Sequence, residues 1–218
     1  MGRTMLSEER KAAVNKEYIG KMIIFCEGPT EKYYLDYFIN ILNKNKYTDI
    51  RVEAESANGN SRKVLDFADA FLSLEQNNVK YSNYKKYLMF DCDSPKEIQT
   101  VIKDMRDSKR YYSLLVSNYL FEVWLLMHFE IVDKKLSKKK IYERLGSYLS
   151  NEYVKADQGI IREIITKNRT NVEDAISNAR DLCKIYEDNG KTLDANIKDM
   201  NPYTNVHILI EQFMLEIS

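Results

Sequence analysis

IIFCEGPTEKYYLDYF, residues 23–38, changes character in its middle. Ile23 to Cys26 closes a short apolar, β-prone run that begins at Lys21. Glu27-Gly28-Pro29 then breaks it, and a helical spacing of apolar and aromatic residues follows. Proline needs no N–H at the first helical position, so Pro29 marks the helix start. Tyr34, Leu35, Phe38, Ile41 and Leu42 recur along one helix face, which carries the helix from Thr30 to Leu42. The carboxylate of Glu27 thus stands at the end of a strand, and that of Glu31 stands four residues on.

The same alternation continues outward. Ile50 to Ala54 reads as a second strand, followed by the loop-like SANGNS (56–61) and an amphipathic helix over Val64–Leu74. Tyr87–Phe90 is a third strand, running into Asp91-Cys92-Asp93-Ser94-Pro95 and a polar helix to Arg106. Tyr112–Val116 is a fourth, ending in Ser117-Asn118, and FEVWLLMHF (121–129) reads as a buried helix. Connections that contain helices imply parallel strands, and hence a central sheet with helices on both faces. From Ser137 the pattern is helical: Ser137–Leu149, Ile160–Lys167, Val172–Glu187 and Tyr203–Ile217, the last opened by Asn201-Pro202 as cap and first turn. The expectation is an α/β core over 21–130 with a mostly parallel sheet of about four strands. A polar tail or loose helix precedes it over 1–20, and a helical C-terminal part packs on it over 131–218.

At 218 residues the chain can bury a substantial core, and its 30% charged residues mark a globular protein rather than a disordered one. Lysine plus arginine equals aspartate plus glutamate at 33 each, which gives no global argument for nucleic acid but leaves room for a local basic patch. No signal-like or membrane-spanning run is expected; the longest apolar stretch, Leu120–Phe129, is interrupted by Glu122 and His128. Three scattered cysteines build neither a disulfide framework nor a zinc site, which points to a reducing, cytoplasmic setting.

In parallel α/β sheets ligands bind beyond the carboxyl ends of the strands. Those ends carry Glu27, the 56–61 loop, Asp91 with Asp93, and the segment Ser117 to Glu122. Carboxylates gathered on one edge repel unless cations lie among them, and hard oxygen ligands suit Mg²⁺ or Mn²⁺. In an extended chain Asp91 and Asp93 point to one side and Cys92 to the other, so the cysteines read as small buried apolar residues beneath the site. Each acid has an ordinary reading too: Asp93 as a helix cap and Glu31 as a first-turn acid on a helix dipole. Glu122 stands apart, because an ionised group amid aromatics is costly unless paired or metal-bound.

CEGPTEKYYLDYF, MFDCDS and SNYLFEVWLLMHF, with NPYTNV near the end, together resemble the RloB-like family. That resemblance implies a Toprim-type, Rossmannoid core, the acidic α/β module of topoisomerases, primases and OLD-family nucleases, in proteins of restriction and abortive-infection loci. It puts the Toprim glutamate on Glu27, the Asp-x-Asp pair on Asp91 and Asp93, and the second acid of a Glu-Gly-x-x-Glu pattern on Glu31. A Ser-Asn-x-x-Phe-Glu element falls on Ser117, Asn118, Phe121 and Glu122. Tyr119 replaces a usual proline, and Cys92 an often-seen arginine. It further implies an ABC- or AAA-type ATPase partner encoded nearby; self-association is left open.

The activity this implies is phosphodiester hydrolysis of RNA such as tRNA, or of DNA, in anti-phage defence. Two ions about 4 Å apart would clamp the phosphodiester. Glu27, Asp91 and Asp93 would hold one; Glu31, Glu122 and Ser117 would hold a second or orient water. A lysine is wanted for the transition state, as in OLD-type nucleases; Lys155 in YVKAD is the candidate, with Arg162 and Lys167 as rivals. For nucleic acid, DKKLSKKKIYERL (133–145) offers Lys134, Lys135, Lys138, Lys139, Lys140 and Arg144, with Tyr142 for stacking, although such a run also suits a solvated helix start. A non-cutting binding subunit is the second reading. A haloacid-dehalogenase-type phosphatase is the third; it leaves Glu27 and Glu122 without a task.

Overall fold

The computed structural model describes residues 19–44, 50–93, 95–107 and 110–217. The expected tail or helix over 1–20 falls outside these residues except at Ile19 and Gly20, and Ser94 of the proposed cap lies outside them as well. Strand β1 (Lys21–Cys26) leads into helix α1 (Pro29–Leu42), then β2 (Arg51–Ser56), α2 (Ser61–Ser73) and the short α3 (Glu75–Lys80). Next come β3 (Lys85–Asp91), α4 (Pro95–Asp107), β4 (Tyr112–Asn118) and α5 (Glu122–Leu126). The remainder is α6 (Lys138–Tyr148), α7 (Gln158–Thr166), α8 (Asn171–Asp188), α9 (Leu193–Asn196), a 3₁₀ turn (Ile197–Asp199), β5 (Tyr203–Thr204) and α10 (His207–Ile217).

The sheet order is β2-β1-β3-β4-β5, with β1 to β4 parallel and β5 antiparallel to β4. β1 is buried from Met22 to Cys26, the continuous apolar run of a strand covered on both faces. Its alternate side chains divide between two cores. Met22, Ile24 and Cys26 join Tyr34, Leu35 and Phe38 of α1, whereas Ile23 and Phe25 join Val64 and Leu65 of α2 and Ile98 and Val101 of α4. The handedness of crossovers explains the division: the chain moves from β1 to β2 in one direction and from β2 to β3 to β4 in the other, so right-handed connections place α1 opposite α2 and α4. Ile161 and Ile164 of α7, Ala175 and Ala179 of α8, and Leu209 and Phe213 of α10 complete the core on the α1 side, around the fully buried Trp124.

Two expected helices are corrected. Tyr203 and Thr204 do not open the last helix; they form a fifth strand against Asn118 and Ser117, and the helix starts at His207. The edge of β4 needs backbone partners, and Asn205 extends the supply. Its amide oxygen accepts from Val116 N at 2.7 Å, its amide nitrogen donates to Leu114 O at 2.9 Å, and its own N–H donates to Val116 O at 3.2 Å. FEVWLLMHF is α-helical only over Glu122–Leu126. His128 sits in the turn beyond, its Nδ1 3.1 Å from Trp124 O and its Nε2 3.0 Å from Tyr34 Oη. Burial lowers its pKa to about 4, so the ring is neutral; Nδ1 donates to the carbonyl and Nε2 accepts from the phenol. His128 is thereby a packing residue. No helix among the described residues is long and apolar enough to cross a membrane.

Candidate metal site and nucleic-acid interface

In an open parallel sheet the crevice lies where neighbouring strands send their connections in opposite directions, here between β1 and β3. Glu27 follows β1 and Asp91 ends β3, so the chain order alone brings these two acids to that point. Asp91 N donates to Glu27 Oε2 at 3.0 Å. The 56–61 loop is tied down beside them, with Ala57 N on Cys26 O at 2.9 Å and Gly59 N on Glu27 O at 3.1 Å.

Glu31 enters from the first turn of α1 and is buried. Gly28 caps that helix in an ordinary extended conformation, φ −149°, which any residue adopts. Its lack of a side chain matters for a different reason: a Cβ there would stand 3.3 Å from Glu31 Oε2. Glu122 is fully buried at the start of α5; its Oε1 accepts from Tyr153 Oη at 3.0 Å and Tyr142 Oη at 3.2 Å, with Lys155 Nζ at 3.9 Å. The segment carrying Lys155 is pinned one residue later, where Ala156 N donates to Thr30 Oγ1 at 3.1 Å. Asp93 is exposed at the rim. Ser117 is buried beside Asp91's strand, its hydroxyl 3.1 Å from that of Thr204.

Four acids and one lysine therefore share a single electrostatic environment. Burial pushes Glu27 up to about 7, against the pull of the Asp91 N–H, while Glu31 and Asp93 add to the rise. Burial also holds Asp91 well above the ordinary aspartate range, and Glu31, Glu27 and Glu122 push it further. Glu31 is raised by burial first and by Glu122, with the backbone at Glu31 and Gly28, and Lys155, pulling the other way. Burial draws Lys155 down, yet Glu122, Asp91, Glu31 and Glu27 together hold it above the usual lysine value, so it is an ammonium.

One carboxylate oxygen on each of Glu31, Asp91 and Glu122 is buried without a hydrogen-bond partner. An orphaned, ionisable oxygen at such a depth is costly unless a cation or proton meets it. All three are hard oxygen donors, the ligand type that Mg²⁺ and Mn²⁺ prefer. Among the described residues no group of three or more acidic, histidine or cysteine side chains is placed so that it could hold a metal ion, so binding would need these carboxylates to draw closer together. Cys26 and Cys92 are buried beneath, their thiols raised by burial, Cys92 to about 12, and act as apolar filler.

Of the alternative cations, Lys167 is occupied by Glu163 at 2.7 Å and Arg162 is exposed on α7, so Lys155 alone of the three meets the acids. The basic run divides. Lys139 and Lys140 lie 3.8 and 3.6 Å from Glu143, and Arg144 bonds Glu130 at 2.7 Å. Lys134 is exposed, and Lys135 and Lys138 line a cleft next to Asp93. Tyr142, expected to stack on bases, instead donates to Glu122, and Lys138 Nζ lies 5.5 Å from its ring centroid. Thr30, Tyr153 and Thr204 were not foreseen as site residues. Nothing local distinguishes them in sequence; each matters through a contact made across more than thirty positions of chain.

An open, mostly parallel α/β sheet with buried acids at its switch point makes this a Rossmann-like core with an acidic edge. A family model described as RloB-like protein matches residues 22–213, nearly the whole described sheet and helical part, and the chain belongs to that family. Comparison with curated proteins and with solved structures gave no match.

Proposed function

We propose that this protein is a Toprim-like, metal-dependent nuclease that hydrolyses phosphodiesters in RNA or DNA, in a defence role and under control of a partner ATPase. The observation that carries the reading is the set of three orphaned carboxylate oxygens on Glu31, Asp91 and Glu122, at the end of β3 and in the helices that follow β1 and β4, the side on which α/β proteins bind ligands. Glu27, Glu31, Asp91, Asp93 and Glu122 would hold Mg²⁺ or Mn²⁺, with Ser117 as a lesser contributor; when bound, such ions polarise a phosphodiester and generate a nucleophile from water. Lys155, protonated and half-exposed, is the group that can meet the charge building on the phosphate. Tyr142 and Tyr153 hold one oxygen of Glu122 so that the other is left for the site. No Walker motif occurs in this sequence, and in this reading ATP-driven control is supplied by the partner.

A second reading has its own support. Lys155 already offsets part of the acidic charge, as it would in a site that holds nucleic acid or an ATPase without cutting. Cleavage of labelled tRNA and of single- and double-stranded DNA separates the two, run with Mg²⁺, Mn²⁺ or EDTA. Wild type is compared with folded Asp91→Ala and Glu27→Ala. Metal-dependent cutting lost in both variants is the expected result. Metal binding lost in the variants with no cutting by wild type would leave the non-cutting subunit, and no metal binding at all would sink the catalytic reading.

A further inference from the structure

A cleft of about 660 Å³ opens beside the acidic site. Its walls come from distant parts of the chain: Cys92 and Asp93 after β3, Asn118 and Tyr119 after β4, Lys135 to Lys138 at the approach to α6, and Lys198 and Asn201 before β5. The volume lies within the ~300–1,000 Å³ typical of ligand sites.

The charge of the cleft runs against that of the whole molecule. The protein is neutral overall, whereas here Lys135, Lys138 and Lys198 face a single acid, Asp93. All three lysines are exposed, and none makes an ion pair among the described residues, in contrast to the next two residues after Lys138, Lys139 and Lys140, which pair with Glu143. Tyr119, partly buried against the core, and Leu136 share the cleft wall with these lysines. Cations and an aromatic ring in one cleft match a polymer that carries both phosphates and flat bases. The cleft is concave. A duplex presents a convex row of phosphates and keeps its bases stacked inside, so only an unpaired strand can lower a base against Tyr119.

We propose that this cleft binds a single-stranded stretch of nucleic acid, Lys135, Lys138 and Lys198 taking phosphates and Tyr119 stacking an unpaired base. The inference rests on the nuclease reading for its direction: the strand leaves the cleft past Asp93 and arrives at the buried acids. It narrows the substrate class to single-stranded segments, loops or ends.

Fluorescence anisotropy in EDTA tests it, with labelled oligouridylate, oligothymidylate and a duplex of equal length. The proteins compared are wild type, a triple Lys135→Gln/Lys138→Gln/Lys198→Gln variant, Tyr119→Ala, and a Lys139→Gln/Lys140→Gln control from the same helix, each checked for an unchanged thermal midpoint. Single strands should bind more tightly than duplex. The triple variant should lose at least ~tenfold in affinity and flatten the slope of log K against log salt by about two. Tyr119→Ala should lose about tenfold, and the control should stay close to wild type. Equal losses in control and triple variant, duplex bound as tightly as single strand, or no wild-type binding would overturn the proposal. Cleavage is scored separately. Metal-dependent cutting with undisturbed binding in the cleft variants sinks the cleft and keeps the nuclease. Cleft-dependent binding with no cutting in Mg²⁺ or Mn²⁺ keeps the cleft and sinks the nuclease.

Discussion

The backbone N–H of Asp91 donates to Glu27 Oε2 at 3.0 Å, one residue beyond Cys26 and two beyond Met89, the last β1–β3 pair. The Glu27 side chain thus links the two strands just past the end of their backbone ladder and ties the two acids together. An acceptor is needed there whether or not Glu27 is ionised, which separates its structural from its electrostatic role.

That separation gives a pH prediction for the metal-free protein. Burial lifts Glu27 from 4.5 to about 7 in the folded state, and burial lifts Asp91 as well. The folded protein therefore binds more protons than the unfolded chain across the window from 4.5 to about 7, and its stability falls as pH rises through that window. In EDTA, thermal melts at about pH 8 should lie below those at about pH 5.5 by at least ~2–4 °C, about 1 kcal/mol. Glu27→Gln keeps the acceptor for Asp91 N and should remove much of this slope. Excess Mg²⁺ should raise the midpoint most at the higher pH, where the acids are ionised. A metal-free midpoint that rises between the two pH values would contradict the assigned shifts.

Gly28→Ala tests the approach of the helix start to the site. The added Cβ would stand 3.3 Å from Glu31 Oε2, so the carboxylate must give way by a few tenths of an ångström, while the backbone φ of −149° tolerates alanine. The expected cost in stability is small, below ~1 kcal/mol. Metal affinity should fall several-fold, measured by calorimetric titration. A variant that binds metal as wild type does would remove Glu31 from the ligand set.

Tyr153→Phe takes one donor from Glu122 Oε1 and leaves Tyr142 Oη at 3.2 Å and Lys155 Nζ at 3.9 Å. Losing a hydrogen bond to a buried carboxylate costs ~1.5–3 kcal/mol, or roughly 3–10 °C in midpoint for a chain of this size. Mg²⁺ should recover part of that loss. Tyr142→Phe, in the less buried partner, should cost less. Equal, negligible losses in both would show that Lys155 suffices to hold Glu122.

The parallel sheet was legible because each strand ended in the same way, with an apolar run followed by an acid or a turn and then a helix. Glu27 and Asp91 stood out for the same reason, and Glu122 because it is an acid set among aromatic and apolar residues. What escaped was the part decided by pairing at a distance. Asn201-Pro202 has the local form of a helix start, yet Tyr203 and Thr204 are drawn to the open edge of β4, and Asn205 serves that edge with its side chain. Local spacing also gave Lys134, Lys135, Lys138, Lys139, Lys140 and Arg144 one role. Their neighbours split them, because Glu143 and Glu130 become partners only once α6 is formed and packed. Tyr153 and Thr30 carry no motif; burial next to an acid or a bare N–H gives them their work.

Thr30 provides the most selective test of the lysine. It is fully buried in the first turn of α1, and its hydroxyl accepts from Ala156 N at 3.1 Å, fixing the residue after Lys155, where the backbone adopts φ +61°. Thr30→Val keeps the shape and removes the acceptor, which leaves a part-buried N–H unpaired at ~1–3 kcal/mol. Lys155 itself is untouched, but it is no longer held over Glu122. If the ammonium acts on charge that develops in the transition state, kcat should fall ~10–100-fold while KM changes little. Thr30→Ser, which restores the hydroxyl, should recover most of the rate. In the background of Lys155→Ala the Thr30→Val change should have almost no further effect on kcat, because both act through one group. A full additional loss in the double variant would mean that Thr30 acts elsewhere in the site and that Lys155 is not positioned through it.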